Sequence, residues 1–301
     1  MAAGPLGPET RTIGVEPGLA RRVSGNKHRA IALVVGSAAL VAFVVAAVAS
    51  LLIPGVAALA AGLVVGLLVA AAAWWGSVPL ALHFLGAEPA DPVIHARLFN
   101  LVEGLGANAG VPQPALFVVS DPGLNALTMG RSARHAVLVV TTGLLDQLSR
   151  MELEAVLAHE LSHIRSEDIV AATVAVVLFG WFGGPARAAT DGGGRALLGY
   201  LLLPLSAVAG VGLQLSMAPH REELADTAGV HLTRYPPAMV TALEKMQRQG
   251  TIVRRGGAPA ISHLWLGGPL PPPPSARMAW LTRLFDTHPP LDERIEALRE
   301  L

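Results

Sequence analysis

From Ala30 to Ser77 the chain carries no charged side chain, and Pro54-Gly55 divides this stretch into apolar segments of 24 and 23 residues. Each would be about 35 Å long as a helix, enough to cross a bilayer, so the pattern predicts two membrane spans joined by a tight turn. Polar positions then return in a helical rhythm. Ile94, Leu98, Leu101, Val102 and Leu105 mark an amphipathic helix that ends in the glycine-bearing 104–110 region. Two short β-type runs follow, Ala115 to Ser120 and His135 to Thr141, with Asn125-Ala126-Leu127-Thr128 between them, and these predict a small sheet. Thr142 to Leu148 reads as a short helix. Beyond it, Leu153, Val156, Leu157, Leu161 and Ile164 repeat at helical spacing behind a capping box formed by Ser149 and Glu152.

Charge disappears again from Ile169 to Ala186 and from Ala196 to Met217, with a turn expected around Arg187, Asp191 and Gly192-Gly193-Gly194. These are candidate spans three and four. The first has only 18 residues, at the short end for a bilayer, and a buried or re-entrant hairpin is the alternative. Residues 249–286, rich in glycine and proline, form a long irregular loop, either a lid over the site or a disordered excursion. A last helix starts at Thr287-His288-Pro289-Pro290 and carries Leu291, Ile295 and Leu298 on one face. The chain divides accordingly into a tail (1–29), a first hairpin (30–78), the first part of a catalytic domain (79–168), a second hairpin (169–217) and the rest of that domain (218–301).

Composition agrees with a membrane protein: 52% hydrophobic and 15% charged residues with mean hydropathy +0.51. Lys and Arg number 22 and Asp and Glu 22, so no basic footprint for nucleic acid is present. Two lysines accompany twenty arginines amid abundant alanine and glycine, the composition of a GC-rich bacterial genome. Arg11, Arg21, Arg22, Lys27 and Arg29 make the tail basic. The tail is expected to be disordered and, by the positive-inside rule, cytoplasmic. The first hairpin then returns the chain to the cytoplasm near Trp74-Trp75, so the catalytic domain faces the cytosol at the plasma membrane. With no cysteine in the sequence, histidine and carboxylate are the only strong metal ligands available.

Those ligands occur in a telling order. His159 and His163, four residues apart, stand one turn apart on one helix face, close enough to hold a single ion. Glu160 follows the first of them, where it can reach a water at the metal without entering the coordination shell. The reading is a zinc peptidase helix with one Zn2+ per chain. A third protein ligand is required, and Pro219-His220-Arg221-Glu222-Glu223-Leu224-Ala225-Asp226 opens a second helix with acids four apart. Glu222 is the candidate, with Glu223 and His220 as rivals. Asp226, one turn on, is placed to orient a ligating histidine, and Ala225 and Ala228 would let the helices approach. His288 either returns to the cleft to stabilise an oxyanion or belongs to a helix cap.

Taken together, Glu152 to His163, Glu222 to Asp226 and Thr287-His288-Pro289-Pro290 with Arg294-Ile295 resemble the HtpX-like membrane metallopeptidases, gluzincin relatives of the CAAX prenyl endopeptidases. Asn125 to Arg131 and Val139 to Leu145 are also similar to that family. The resemblance covers roughly residues 90–301. It implies zinc on His159, His163 and Glu222, with Glu160 as base, and cleavage of misfolded membrane proteins. It also implies an edge strand at Asn125 and Ala126 that aligns the substrate backbone. Two positions depart from the family pattern: Pro219 stands where an arginine is usual, and Glu223 where an aromatic is usual. The expected fold is a mainly α membrane protein of about four transmembrane helices in two hairpins, with a cytosolic α+β zincin-like domain. A site-2-type intramembrane protease is disfavoured by Arg150, Glu152, Glu154, Arg165, Glu167 and Asp168 around the motif, charges costly in hydrocarbon. A non-catalytic scaffold or metal-binding pseudoprotease is the other alternative.

Overall fold

The computed structural model describes residues 18–179, 201–217, 220–254, 259–270 and 289–301. Two helices of 31 residues, Leu19–Ala49 and Gly55–Leu85, are long and apolar enough to cross a membrane. The first is α1; the second runs as α2 (Gly55–Ala71), a π-turn (Ala72–Gly76) and α3 (Ser77–Leu85). They pack antiparallel because α2 presents glycines to alanines. A Cβ added at Gly66 would lie 2.6 Å from the Ala38 carbonyl oxygen, and one at Gly62 would meet the Ala42 carbonyl. Such small-residue seams let two backbones touch where the hydrophobic effect offers no drive. Leu40, Phe43, Val56, Leu63 and Leu67 point outward and exposed, an apolar surface suited to lipid tails.

Helix α1 begins eleven residues before the charge-free stretch, which corrects the expectation of a disordered tail for Leu19–Arg29. The cause is tertiary. Asn26 Nδ2 donates to the Ser166 carbonyl at 3.0 Å, and Lys27 pairs with Glu167 at 3.0 Å. Residues 1–17 lie outside the described residues. Eight residues further along both segments, Val34 and Val174 share a small core with Ala73, so α1 and α7 (Ile169–Leu178) run side by side in the same direction. Helix α8 (Leu203–Ser216) is the described part of the expected fourth span. At 10 and 14 residues both described helices are shorter than the roughly 17–25 residues a span requires. The remainder of both segments, with the turn expected at 187–194, lies outside the described residues.

Four strands, β1 (Glu88–Pro89), β2 (Ala115–Val119), β3 (Ala126–Gly130) and β4 (Ala136–Thr141), form one sheet in the order β1-β2-β4-β3. Strand β2 runs parallel to β4, with Ala115 opposite Val137, and β3 antiparallel to it, with Ala126 opposite Val140. Ala126, Leu138 and Val140 face a core shared with α4 (Ala96–Ala109) and α6 (Arg150–Ser166); Leu127, Met129 and Val139 face one shared with α7 and Trp265. Both faces are covered, so β4 reads as an unbroken apolar run instead of an alternating one.

The outer edge of β3 is occupied. Leu266 N–H donates to the Ala126 carbonyl at 2.8 Å, and Leu127 forms an antiparallel bridge with Trp265. The described part of the 249–286 loop is therefore neither a free lid nor disordered at this point, and residues 271–286 lie outside the described residues. His263 anchors the preceding turn through Nε2 to the Ala172 carbonyl of α7 at 2.9 Å, and burial lowers its pKa to about 4, so it stays neutral. Helices α9 (Arg221–Thr233), α10 (Pro236–Gln249) and α11 (Leu291–Arg299) complete the domain around α6.

Candidate active site

The capping box predicted for α6 is present: Ser149 N–H donates to Glu152 Oε2 at 2.8 Å, and Ser149 Oγ accepts from Glu152 N–H. Lys245 Nζ closes on the same carboxylate at 2.7 Å. From this fixed start, helical spacing sets the His159 and His163 Nε2 atoms 3.1 Å apart, both rings buried. Helix α9 crosses α6 at Gly229, where an added Cβ would lie 3.0 Å from His159 N and 3.2 Å from its Cα. Glu222 and Asp226 precede Gly229 by two turns and one turn on the same face, so this contact brings both acids to the histidines. Ala225 is buried in the seam, whereas Ala228 is half-exposed.

The Glu222 oxygens lie 3.4 Å from His159 Nε2 and 3.7 Å from His163 Nε2, and His159, His163 and Glu222 form the group among the described residues that could hold a metal ion. Separations of 3.1 to 3.7 Å bracket the ~3.3–3.4 Å expected between ligands at about 2.0–2.1 Å from a tetrahedral zinc. Each histidine is also held from behind. Asp226 lies 2.8 Å from His159 Nδ1 and Asp168 2.9 Å from His163 Nδ1. Burial alone would raise both of these aspartates, but the partners outweigh it (Arg294 then His159 for Asp226, His163 then Arg221 for Asp168) and hold them below the usual carboxylate range. An ionised acid at Nδ1 makes that nitrogen the donor, leaving the Nε2 lone pairs aimed at each other and at a carboxylate. Three electron-pair donors converging in a dry site could hold a cation between them.

The charge count agrees. Among the described residues, Glu160, Asp168, Glu222 and Asp226 are buried alongside two buried guanidiniums, those of Arg221 and Arg294. With neutral histidines and all four acids ionised, these groups carry an excess of two negative charges, the complement of one divalent ion. The same field acts on a proton: burial disfavours the His159 cation, but Asp226 and Glu222 raise its pKa to about 9. Protons and metal therefore compete for one place.

Glu160 sits beside this group with 2% of its surface exposed, and Thr128 Oγ1 on β3 donates to its Oε2 at 2.9 Å. Burial, more than any other influence, pushes its carboxyl pKa up. Glu223 and His220, the rivals for third ligand, are exposed and pair with each other at 3.2 Å. His288 lies outside the described residues. Asn125 and Ala126 stand at the sheet edge but engage this chain's own backbone: Asn125 Nδ2 donates to the carbonyls of Gly267 at 2.8 Å and Thr251 at 2.9 Å, and its Oδ1 accepts from Gly267 N–H at 3.1 Å.

Three further residues of the site, Arg294, Asp168 and Arg221, carry no signature of their role in the sequence. Arg294 grips Asp226 with Nε and Nη2 at 2.8 and 2.7 Å, and its Nη1 donates to the Leu266 carbonyl at 3.1 Å. Asp168, in the turn after α6, orients His163. Arg221 Nε lies 3.0 Å from Glu222 Oε1 and 3.8 Å from Asp168 Oδ2. Proximity to the motif was the one signal for Asp168 and Arg221; Arg294 lay within the family-like segment.

With this geometry in place, comparison with known proteins is decisive, since the profile of Peptidase family M48 matches residues 92–301. The chain belongs to peptidase family M48. A protease HtpX homolog of Limosilactobacillus reuteri is 36% identical over 68% of this chain and 73% of its own length. The homolog from Streptococcus pyogenes is 34% identical over 94% of this chain and its whole length, and that from Tropheryma whipplei 33% identical over 74% and 78%. No solved structure matches. This M48 peptidase is thus an HtpX-like membrane metalloprotease, and the scaffold alternative falls.

In this M48 peptidase the Gly229 crossing is testable. Neighbours at 3.0 to 3.4 Å from an added Cβ are all α6 backbone and cannot turn away. Gly229→Val is expected to cost about 1–3 kcal/mol by overpacking. It should also weaken metal retention by moving α9, read by thermal melting and chelator competition, with Gly229→Ala intermediate.

Proposed function

We propose that the chain is a zinc endopeptidase that cleaves misfolded or damaged membrane proteins at the cytosolic face of the bacterial plasma membrane. His159, His163 and Glu222 would hold one Zn2+, with Asp226 and Asp168 fixing the two imidazoles. The observation that carries this is the convergence of three buried candidate ligands, each histidine locked by its own acid, in a site whose described groups carry an excess of two negative charges. When bound, the metal supplies Lewis acidity, polarising a peptide carbonyl and making water acidic enough to attack near neutral pH. Glu160, its pKa raised by burial and its carboxylate oriented by Thr128, accepts the proton of the attacking water and passes it to the leaving amine. His288, before α11, is the candidate donor to the developing oxyanion.

Asn125 and Ala126 would align the substrate as an added strand on β3. The Ala126 carbonyl is the acceptor a substrate N–H would use, and Leu266 N–H now holds it, so residues 264–267 must yield there. Substrate in membranes suits the layout: α1 and α7 run together from the level of the metal helix into the apolar layer, and His163 lies six residues before Ile169. The apolar segments at 169–186 and 196–217 would be spans three and four, with the domain in the cytosol.

The test is the detergent-purified chain assayed for metal and for cleavage of casein. About one zinc per chain is expected, with activity lost to a chelator and restored by Zn2+. A chain that holds zinc and leaves casein intact, or cleaves it after full metal removal, defeats the proposal.

A further inference from the structure

Residues 264–268 lie along the outer edge of β3 as a strap, and two consecutive residues of it have every backbone polar group held. Leu266 N–H donates to the Ala126 carbonyl at 2.8 Å, and the Leu266 carbonyl accepts from Arg294 Nη1 at 3.1 Å. Gly267 N–H donates to Asn125 Oδ1 at 3.1 Å, and the Gly267 carbonyl accepts from Asn125 Nδ2 at 2.8 Å. None of these four bonds involves a side chain of the strap, so another extended chain laid on the edge in the same antiparallel sense could make them all. Side chains are read separately, on alternate faces. Trp265 is buried with Leu127, Met129 and Val139, and Leu266 with Ala126, Leu138 and Val140.

Blunting an exposed edge takes only a covering loop. Here the contacts of the strap lead into the catalytic group. Arg294, which receives the Leu266 carbonyl, grips Asp226 with Nε and Nη2 at 2.8 and 2.7 Å, and Asp226 lies 2.8 Å from His159 Nδ1. Thr128 follows Leu127, the pairing partner of Trp265, and its hydroxyl holds Glu160. A chain that continued the antiparallel pairing past Trp265 would run by Thr128 to Glu160; the strap instead enters the 3₁₀ turn Pro259–Leu264 at that point. It fills the track of a substrate and leaves it before the base.

We propose that residues 264–268 are a built-in surrogate of the substrate, which an incoming chain displaces, and that the vacated track selects extended segments with two adjacent bulky apolar side chains. The proposal rests on the endopeptidase reading above, with β3 as the substrate edge. The moving part is short: His263 is anchored to the Ala172 carbonyl at 2.9 Å, the Pro269 carbonyl accepts from Val253 N–H at 3.0 Å, and the five residues between them include Gly267-Gly268. Arg294 is a positioning residue, taking the substrate carbonyl that replaces that of Leu266 while it keeps Asp226 on His159. Adjacent large apolar residues are buried in folded proteins and become accessible on an extended chain when folding fails, so the surrogate selects damaged chains and spares native ones. Because the strap is tethered, it competes at high effective concentration and lowers the apparent affinity for substrate by the fraction of chains in which it has lifted.

The zinc-loaded full chain in detergent is offered the seven-residue peptide of the strap's own sequence, Ser262 to Gly268, and a control with serine in place of its tryptophan and the leucine that follows. Fluorescence anisotropy should show the strap peptide binding at least about tenfold tighter than the control, the loss expected when two apolar side chains are no longer buried. Thr251→Ala removes the hydroxyl that holds the Gly268 carbonyl at 2.7 Å; it should tighten peptide binding and speed casein cleavage severalfold. A lock gives the converse. A Cβ at Gly267 would lie 3.3 Å from that of Thr251, close to the ~3.5–4.5 Å of a disulfide, and the chain has no cysteine of its own. Thr251→Cys with Gly267→Cys, once oxidised, should lose peptide binding and cleavage at least tenfold and regain both on reduction by a phosphine. Arg294→Lys keeps a charge beside Asp226 without the fork that reaches a second acceptor, so it should raise KM severalfold with a smaller effect on kcat; an unchanged KM removes Arg294 from the substrate. Equal binding of the two peptides, or an oxidised lock that binds and cleaves like its reduced form, overturns the proposal. Peptide binding needs no turnover, so a zinc-loaded chain that binds the two peptides as expected and leaves casein intact keeps the surrogate and defeats the endopeptidase reading alone.

Discussion

Glu160→Gln is expected to lower casein cleavage by about 10³-fold, within the 10²–10⁴ range for a general base, while the protein keeps its zinc. The amide matches the carboxylate in shape and can still accept the Thr128 hydrogen bond that now measures 2.9 Å, so the site should not rearrange. What is lost is the capacity to take a proton. Because the residue is buried and outside the ligand set, the loss should fall on kcat with KM little changed. Zinc content by elemental analysis, alongside initial rates, decides the matter. A variant that keeps both its metal and more than a tenth of its activity would show that the proton goes elsewhere.

The parts of this site legible in the sequence are those encoded by helical spacing. Ser149 with Glu152, His159 with His163, and Glu222 with Asp226 each lie three or four residues apart, so one turn of helix suffices to place them together. The roles invisible there arise from contacts across the chain. Arg294 is 68 residues from the Asp226 it grips, and on its own helix it reads as one more solvated charge. Strand β3 escaped a firm assignment because both its faces are buried, which erases the alternation that marks a strand. The helical start of α1 was hidden for a related reason: the polar residues from Leu19 to Arg29 look like tail until Asn26 finds Ser166. Gly229 did leave a trace. A glycine in a helix interior costs about 1 kcal/mol relative to alanine and often marks a close approach, here the crossing that delivers both acids.

Zinc affinity should fall in a graded series that separates ligand from support. Glu222→Ala removes one of the three residues proposed to hold the metal and one of the four buried carboxylates around them; metal should be lost on dialysis and cleavage should vanish. Asp168→Asn leaves the ligand set intact but replaces the ionised acceptor 2.9 Å from His163 Nδ1 by an amide that can present its NH2 there. The imidazole then loses its fixed tautomer and part of its basicity, for which a 10–100-fold weakening is the usual scale. Glu223→Ala, exposed and paired only with His220 among the described residues, should change nothing. Chelator competition on the four proteins, with circular dichroism to confirm folding, gives the order directly. Wild-type affinity in Glu222→Ala would remove the third ligand from the site, and a larger loss in Asp168→Asn than in Glu222→Ala would place the metal on the wrong side of His163. The order also tests the charge argument: both substitutions remove one negative charge, so a purely electrostatic site would weaken alike in the two, whereas coordination separates them.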